Sequence, residues 1–162
     1  MKQEDKELLL KDLCARLPYK VVVDYGYNAF DVHNGNYVKY GSKCILKCYL
    51  LDVFMSPRQN EKGEYIKPYL RPMSSMTGEE AKEIATLRGL KNILSVQITD
   101  KYIDVIIDDG FNSTERSTIW YDEIISSIEI FDWLNKKMFD YCGLIERGMA
   151  IAVTEENNPY KE

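Results

Sequence analysis

Pro68 and Pro72 stand four residues apart in Lys67-Pro68-Tyr69-Leu70-Arg71-Pro72 and constrain this chain more than any other feature. Each ring holds φ near about −65° and pushes the residue before it, Lys67 or Arg71, away from helical geometry. Residues 66–73 are therefore expected to run as an extended or polyproline-like strap, neither helix nor central strand. Thr77-Gly78-Glu79-Glu80 then reads as a capping box, with Thr77 as N-cap and Glu80 returning to its backbone N–H. The strap thus joins two halves: residues 1–76, a helix, a β-meander and the strap itself, and residues 77–154, a helix, a β-hairpin and C-terminal helices. Residues 155–162 read as a loose tail. One single domain is the alternative at this length.

The class this implies is α+β: an N-terminal helix, a small antiparallel meander or SH3-like barrel, the strap, then a second β/helical half. Leu9, Leu10, Leu13 and Leu17 recur at helical spacing over residues 4–17, with Glu7, Lys11 and Asp12 elsewhere on the wheel, and Pro18 stops the helix. Val21-Val22-Val23 opens the β texture, Asn34-Gly35 signals a hairpin and Gly41 a further turn. Residues 37–40 and 43–54 read as strands, and Gln59-Asn60-Glu61-Lys62-Gly63 as a polar loop. Beyond the capped helix, which should stop near Gly89, Leu94, Val96 and Ile98 alternate with Ser95, Gln97 and Thr99. Ile103, Val105 and Ile107 alternate with Tyr102, Asp104, Ile106 and Asp108, so both segments read as half-buried strands. Residues 114–121 fit a third strand. Asp122 is the expected cap of a helix carrying Ile124, Ile125, Ile128, Phe131, Leu134 and Met138, and Gly143 breaks it or begins another.

Hydrophobic residues at 45% and charged residues at 29% describe an ordinary globular chain. The formal charge of −5 speaks against a protein whose main work is coating nucleic acid. The charged start, Lys2-Gln3-Glu4-Asp5-Lys6, lacks the apolar core of a signal peptide, and no apolar run approaches the roughly 20 residues that span a bilayer. Four scattered cysteines fit reduced thiols, so a cytoplasmic setting without membrane association is expected.

The run Lys67-Pro68-Tyr69-Leu70-Arg71-Pro72-Met73-Ser74-Ser75-Met76-Thr77 resembles the signature of an uncharacterised family of small proteins of gut Bacteroidales, their phages and mobile elements. Two further blocks carry the resemblance. One is Trp133-Leu134-Asn135, Phe139-Asp140-Tyr141, Gly143-Leu144-Ile145-Glu146 and Gly148; the other runs from Lys6 to Tyr19. The family pattern has two histidines where Lys137 and Met138 stand and an arginine where Cys142 stands, so a site built on that histidine pair does not carry over. The blocks cover about a quarter of the chain, and the resemblance implies no mechanism.

Several groups could carry chemistry, each beside a plainer role. His33 is the single histidine, so triad or general-base chemistry would need it, yet it borders a hairpin turn where an exposed polar residue needs no role. Cys14, Cys44, Cys48 and Cys142 could supply four thiolates to zinc. On a strand, however, Cys44, Leu46 and Cys48 would share one apolar face, and this core role is preferred. Asp104, Asp108 and Asp109 could hold a divalent metal, although Asp-Asp-Gly is ordinary turn chemistry. Twelve tyrosines offer amphipathic contact area, which β-sheets favour in any case. Tyr69 and Arg71 in the strap, with Trp133 and Tyr141, are the candidate binding residues. Arg71 pairing with a carboxylate to lock the halves is the preferred role for that side chain.

The preferred function is a non-enzymatic binding or adaptor protein of a phage or mobile element, acting in the bacterial cytoplasm on a protein partner or on itself, without a cofactor. The alternatives are a metal-dependent enzyme using the aspartates and a sponge that holds a small signalling molecule.

Overall fold

The computed structural model describes residues 2–55, 65–111 and 113–161. The polar loop expected at 59–63 lies outside these residues, as does Asn112. The architecture is α+β. The chain forms two compact units: the first comprises Met1–Leu70 with Cys142–Glu162, the second Arg71–Tyr141.

In the first unit, α1 spans Gln3–Arg16 and buries Leu9 and Leu13 as the leucine spacing requires. Asp12 and Arg16, one helical turn apart, are buried as well and joined by two 2.8 Å hydrogen bonds. Asp12 therefore does not lie on a solvated side of the wheel. Strands β1 (Val22–Asp31) and β2 (Asn36–Ile45) make a long antiparallel hairpin. Its turn is tied by Asp31, whose carboxylate accepts from the His33 backbone and the Asn34 side chain, leaving His33 exposed at the tip.

Gly41 is not a turn residue: it lies within β2, directly opposite Gly26 of β1. Both glycines lie under Tyr65, the cross-strand partner of Gly26 in β3 (Tyr65–Leu70). A Cβ on Gly26 would meet the Tyr65 ring at 2.2 Å. The ring thus supplies the cover that two glycine positions lack. Gly26→Ala is expected to displace the ring, break the 3.1 Å Tyr65–Asp24 hydrogen bond, and cost about 1–3 kcal/mol. Urea unfolding measures the loss, and Gly26→Ala combined with Tyr65→Ala should recover part of it if the clash is the cause.

The sheet order is β2-β1-β3-β7, where β7 is Ile151–Ala152 and runs parallel to β3. β1, not β2, is therefore central to the hairpin and β3, so the strands do not follow meander order. β3 also lies between two strands, which corrects the expectation that the proline segment avoids an inner position. Pro68 is tolerated because β7 reaches only Tyr69 and Leu70, so the missing N–H lies outside that pairing. Residues 48–55 form helix α2 (Cys48–Met55) instead of continuing the preceding strand; a short apolar run does not distinguish the two by periodicity. The tail is tied down: Tyr160 Oη donates to the Tyr69 carbonyl at 2.8 Å and accepts from the Val22 N–H at 3.2 Å, and burial raises its pKa to about 12. Residues 143–150 form tight turns in place of a helix, with Gly143 and Gly148 in left-handed conformations.

In the second unit, α3 (Gly78–Leu87) begins with the capping box, Thr77 and Glu80 bonding reciprocally. Thr77→Ala should cost about 1 kcal/mol in unfolding free energy, measured by urea titration. Strands β4 (Ile93–Ile98), β5 (Tyr102–Asp108) and β6 (Thr114–Trp120) form an antiparallel sheet in that order. α4 spans Ile128–Lys136 and is capped by Ser127, which accepts from the Ile130 N–H. The expected cap, Asp122, sits in a preceding 3₁₀ turn, and the extended backbone of Ser127 prevents a helix running through it. Both helices end in the same way. Leu90 N–H bonds to Ala85 and Phe139 N–H to Leu134, over left-handed residues Gly89 and Met138. Ile84, Ile103, Val105, Ile119, Ile130, Leu134 and Phe139 form the core of this unit.

Candidate functional site

Antiparallel register decides what the three-stranded sheet offers. Ile103, Val105 and Ile119 face the core, so the alternate positions Tyr102, Asp104, Ile106, Thr118 and Trp120 lie on the other face. Tyr102 and Trp120 are directly opposed and their rings meet edge to face, with centroids 4.9 Å apart. Asp104 accepts from Arg116 and from the Thr118 hydroxyl, the latter at 2.8 Å. The hydrogen bond from Arg116, foremost, holds its carboxyl below the usual range, and Arg116 is correspondingly raised. Ile106 is 39% exposed and Trp120 46%. The register of β4 shifts between Ile93 and Ser95, so Ile93 packs against the core and Leu94, the extra residue, is 56% exposed instead of sharing the buried side of Val96 and Ile98 as strict alternation expects. The result is an open sheet face on which an aromatic pair and two aliphatic side chains surround a carboxylate–guanidinium clamp.

The candidate metal carboxylates lie apart in role. Asp104 is occupied by Arg116 and Thr118. Asp108 accepts from the Gly110 N–H, and Asp109 accepts from Phe111, the Ser113 N–H and the Ser113 hydroxyl. The Ser113 hydroxyl is the chief reason that the Asp109 carboxyl titrates low. Among the described residues, no group of three or more His, Cys, Asp or Glu side chains is placed to hold a metal ion. Cys44 is half-buried, but Cys48 is exposed at the start of α2, so the two do not share the buried face expected of a strand.

Tyr69 is buried in the first unit, with the Lys43 ammonium 4.5 Å over its ring. Arg71 belongs to the second unit, where it makes two 2.8 Å bonds to Glu80, one to the Ser75 carbonyl, and lies 4.2 Å over the Phe139 ring. Trp133 stacks on Phe139 and donates to Glu83 at 2.7 Å, bordering a shallow recess with Thr86 and Leu87. Tyr141 donates to the Asn135 side chain at 2.8 Å and packs edge to face on Phe131. Each of the four thus has partners within its own unit.

The exposed face was the part the sequence reading passed over. Its signal was Ile106, an isoleucine in the otherwise polar row of β5, with Trp120 at the end of a polar strand. Among the described residues, no helix is long and apolar enough to cross a membrane. Comparisons with protein-family models, curated proteins and solved structures find no match for this chain.

Proposed function

We propose that this chain is a non-enzymatic binding or adaptor protein that acts through protein contact in a bacterial cytoplasm. The resemblance of its strap and C-terminal blocks to proteins of Bacteroidales phages and mobile elements supports that setting. The observation that carries the binding reading is the open face of β4, β5 and β6. Tyr102, Trp120, Ile106 and Leu94 present apolar and aromatic area on a sheet whose opposite side already packs a core. Rigid aromatic side chains lose little conformational freedom on binding, and tryptophan and tyrosine dominate the energetics of such contacts. The Asp104–Arg116 clamp presents a matched pair there, so a partner need not bury a lone charge.

Native mass spectrometry of the protein isolated from the cells that make it, with and without chemical crosslinking, tests this reading. Retention of a protein partner or a second copy, lost with Trp120→Ala, is the expected result. A bound metal or small molecule, or turnover of nucleotides or nucleic acid by the purified chain, would overturn it.

A further inference from the structure

Charge is divided unequally along this chain. Arg71–Tyr141 contains eight Lys and Arg against thirteen Asp and Glu, a balance equal to the −5 of the whole protein. Residues 91–123, which form the three strands and their turns, hold three basic and seven acidic side chains. Arg116 is matched to Asp104, leaving six carboxylates against Lys91 and Lys101. The register places them at the two ends of the strands: Asp108 and Asp109 at one, with Glu115 there on the side of Ile107, and Asp100, Asp122 and Glu123 at the other. An apolar strip with unmatched negative charge at both ends has a definite complement. Nucleic acid and anionic lipid surfaces would be repelled.

We infer that the open face of β4, β5 and β6 docks an extended, lysine- and arginine-rich segment of a protein partner. This rests on the binding reading above and adds the chemistry of the partner. Alternate side chains of an extended segment recur at about the spacing of alternate positions on the sheet, so several can register with it at once. A guanidinium or ammonium group settles over the exposed Trp120 ring, its stem lies along Ile106 and Leu94, and neighbouring cations meet the carboxylates at the strand ends.

The test uses the full chain and two fluorescein-labelled peptides, one alternating Arg and Leu, the other alternating Glu and Leu, followed by fluorescence polarisation at rising salt. The Arg-Leu peptide should bind with an affinity that falls as salt is added, and the Glu-Leu peptide should not bind. Trp120→Ala and Ile106→Lys should each weaken binding about tenfold, with circular dichroism showing the fold retained. The triple variant Asp100→Asn, Asp122→Asn, Glu123→Gln should weaken it similarly. Glu4→Gln, Glu155→Gln, Glu156→Gln, which removes as much charge from the first unit, should leave binding unchanged. Equal losses in the two triple variants, or binding indifferent to Trp120 and Ile106, would reduce the effect to general charge attraction and overturn the inference. A self-associated chain that dissociates with Trp120→Ala and ignores the Arg-Leu peptide would also overturn it, while leaving the binding reading intact.

Discussion

Glu80→Ala is expected to lower the unfolding free energy by about 2–3 kcal/mol, well above the contribution of an exposed ion pair. The Glu80 carboxylate takes both forks of Arg71 at 2.8 Å, accepts from the Thr77 backbone N–H at 3.0 Å, and lies 3.7 Å from the Lys137 ammonium. Its side chain is 12% exposed and that of Arg71 22%, so the bonds are only partly screened. Removing the carboxylate opens the capping box and leaves the guanidinium to the Ser75 carbonyl and the Phe139 ring. Burial works to raise the Glu80 pKa, but the Arg71 hydrogen bonds, the Thr77 N–H and the charges of Arg71 and Lys137 prevail, bringing it from 4.5 to about 2. A depressed carboxylate stabilises the fold fully above its unfolded pKa and loses that contribution as pH falls through the folded value. The difference between wild type and Glu80→Ala in urea unfolding should therefore hold at pH 7, shrink below pH 4.5, and fall to the share contributed by packing near pH 2. A difference that stayed constant across that range would sink the electrostatic account.

That network was half legible in the sequence. Thr77-Gly78-Glu79-Glu80 announced its cap because a capping box is local, a matter of four consecutive residues. Arg71 as the partner of Glu80 requires the chain to turn through Pro72 and the 3₁₀ turn at Met73–Ser75, and spacing alone does not specify that. The same division holds elsewhere. Strands β4 and β5 followed from strict alternation, whereas the bulge that exposes Leu94 leaves no mark in a pattern of apolar residues. Asp12 read as a charge off the apolar face of its helix, yet pairing with Arg16 lets it enter the interior. Gly41 looked like a turn because its actual constraint, the ring of Tyr65, is distant in sequence. The open sheet face could be read only in part: alternation placed Ile106 outward, but Trp120 beside Tyr102 depends on the β5–β6 register.

Phe139→Ala should be the most damaging single truncation, costing about 3–5 kcal/mol. Phe139 is fully buried, with Trp133 stacked at 5.6 Å on its ring and the Arg71 guanidinium at 4.2 Å. Its backbone sits in a connection of equal consequence: Arg71 N–H donates to the Met138 carbonyl at 2.7 Å, and Asp140 N–H donates to the Arg71 carbonyl at 2.8 Å. The ring therefore fills the space between helix α4 and the segment that carries the Glu80 network. Deleting it leaves a cavity lined on one side by a cation that has lost its aromatic face. Phe139→Leu should cost less, because it preserves most of the volume and gives up only the stacking and the cation–π contact. A double-mutant cycle between Phe139→Leu and Arg71→Met isolates that contact, and a coupling of about 0.5–1 kcal/mol is expected. Urea unfolding followed by tryptophan fluorescence measures all of these. A Phe139→Ala loss below about 1 kcal/mol would mean that the surrounding side chains close the space, and that the backbone bonds of Arg71 to residues 138 and 140 hold this connection without the ring.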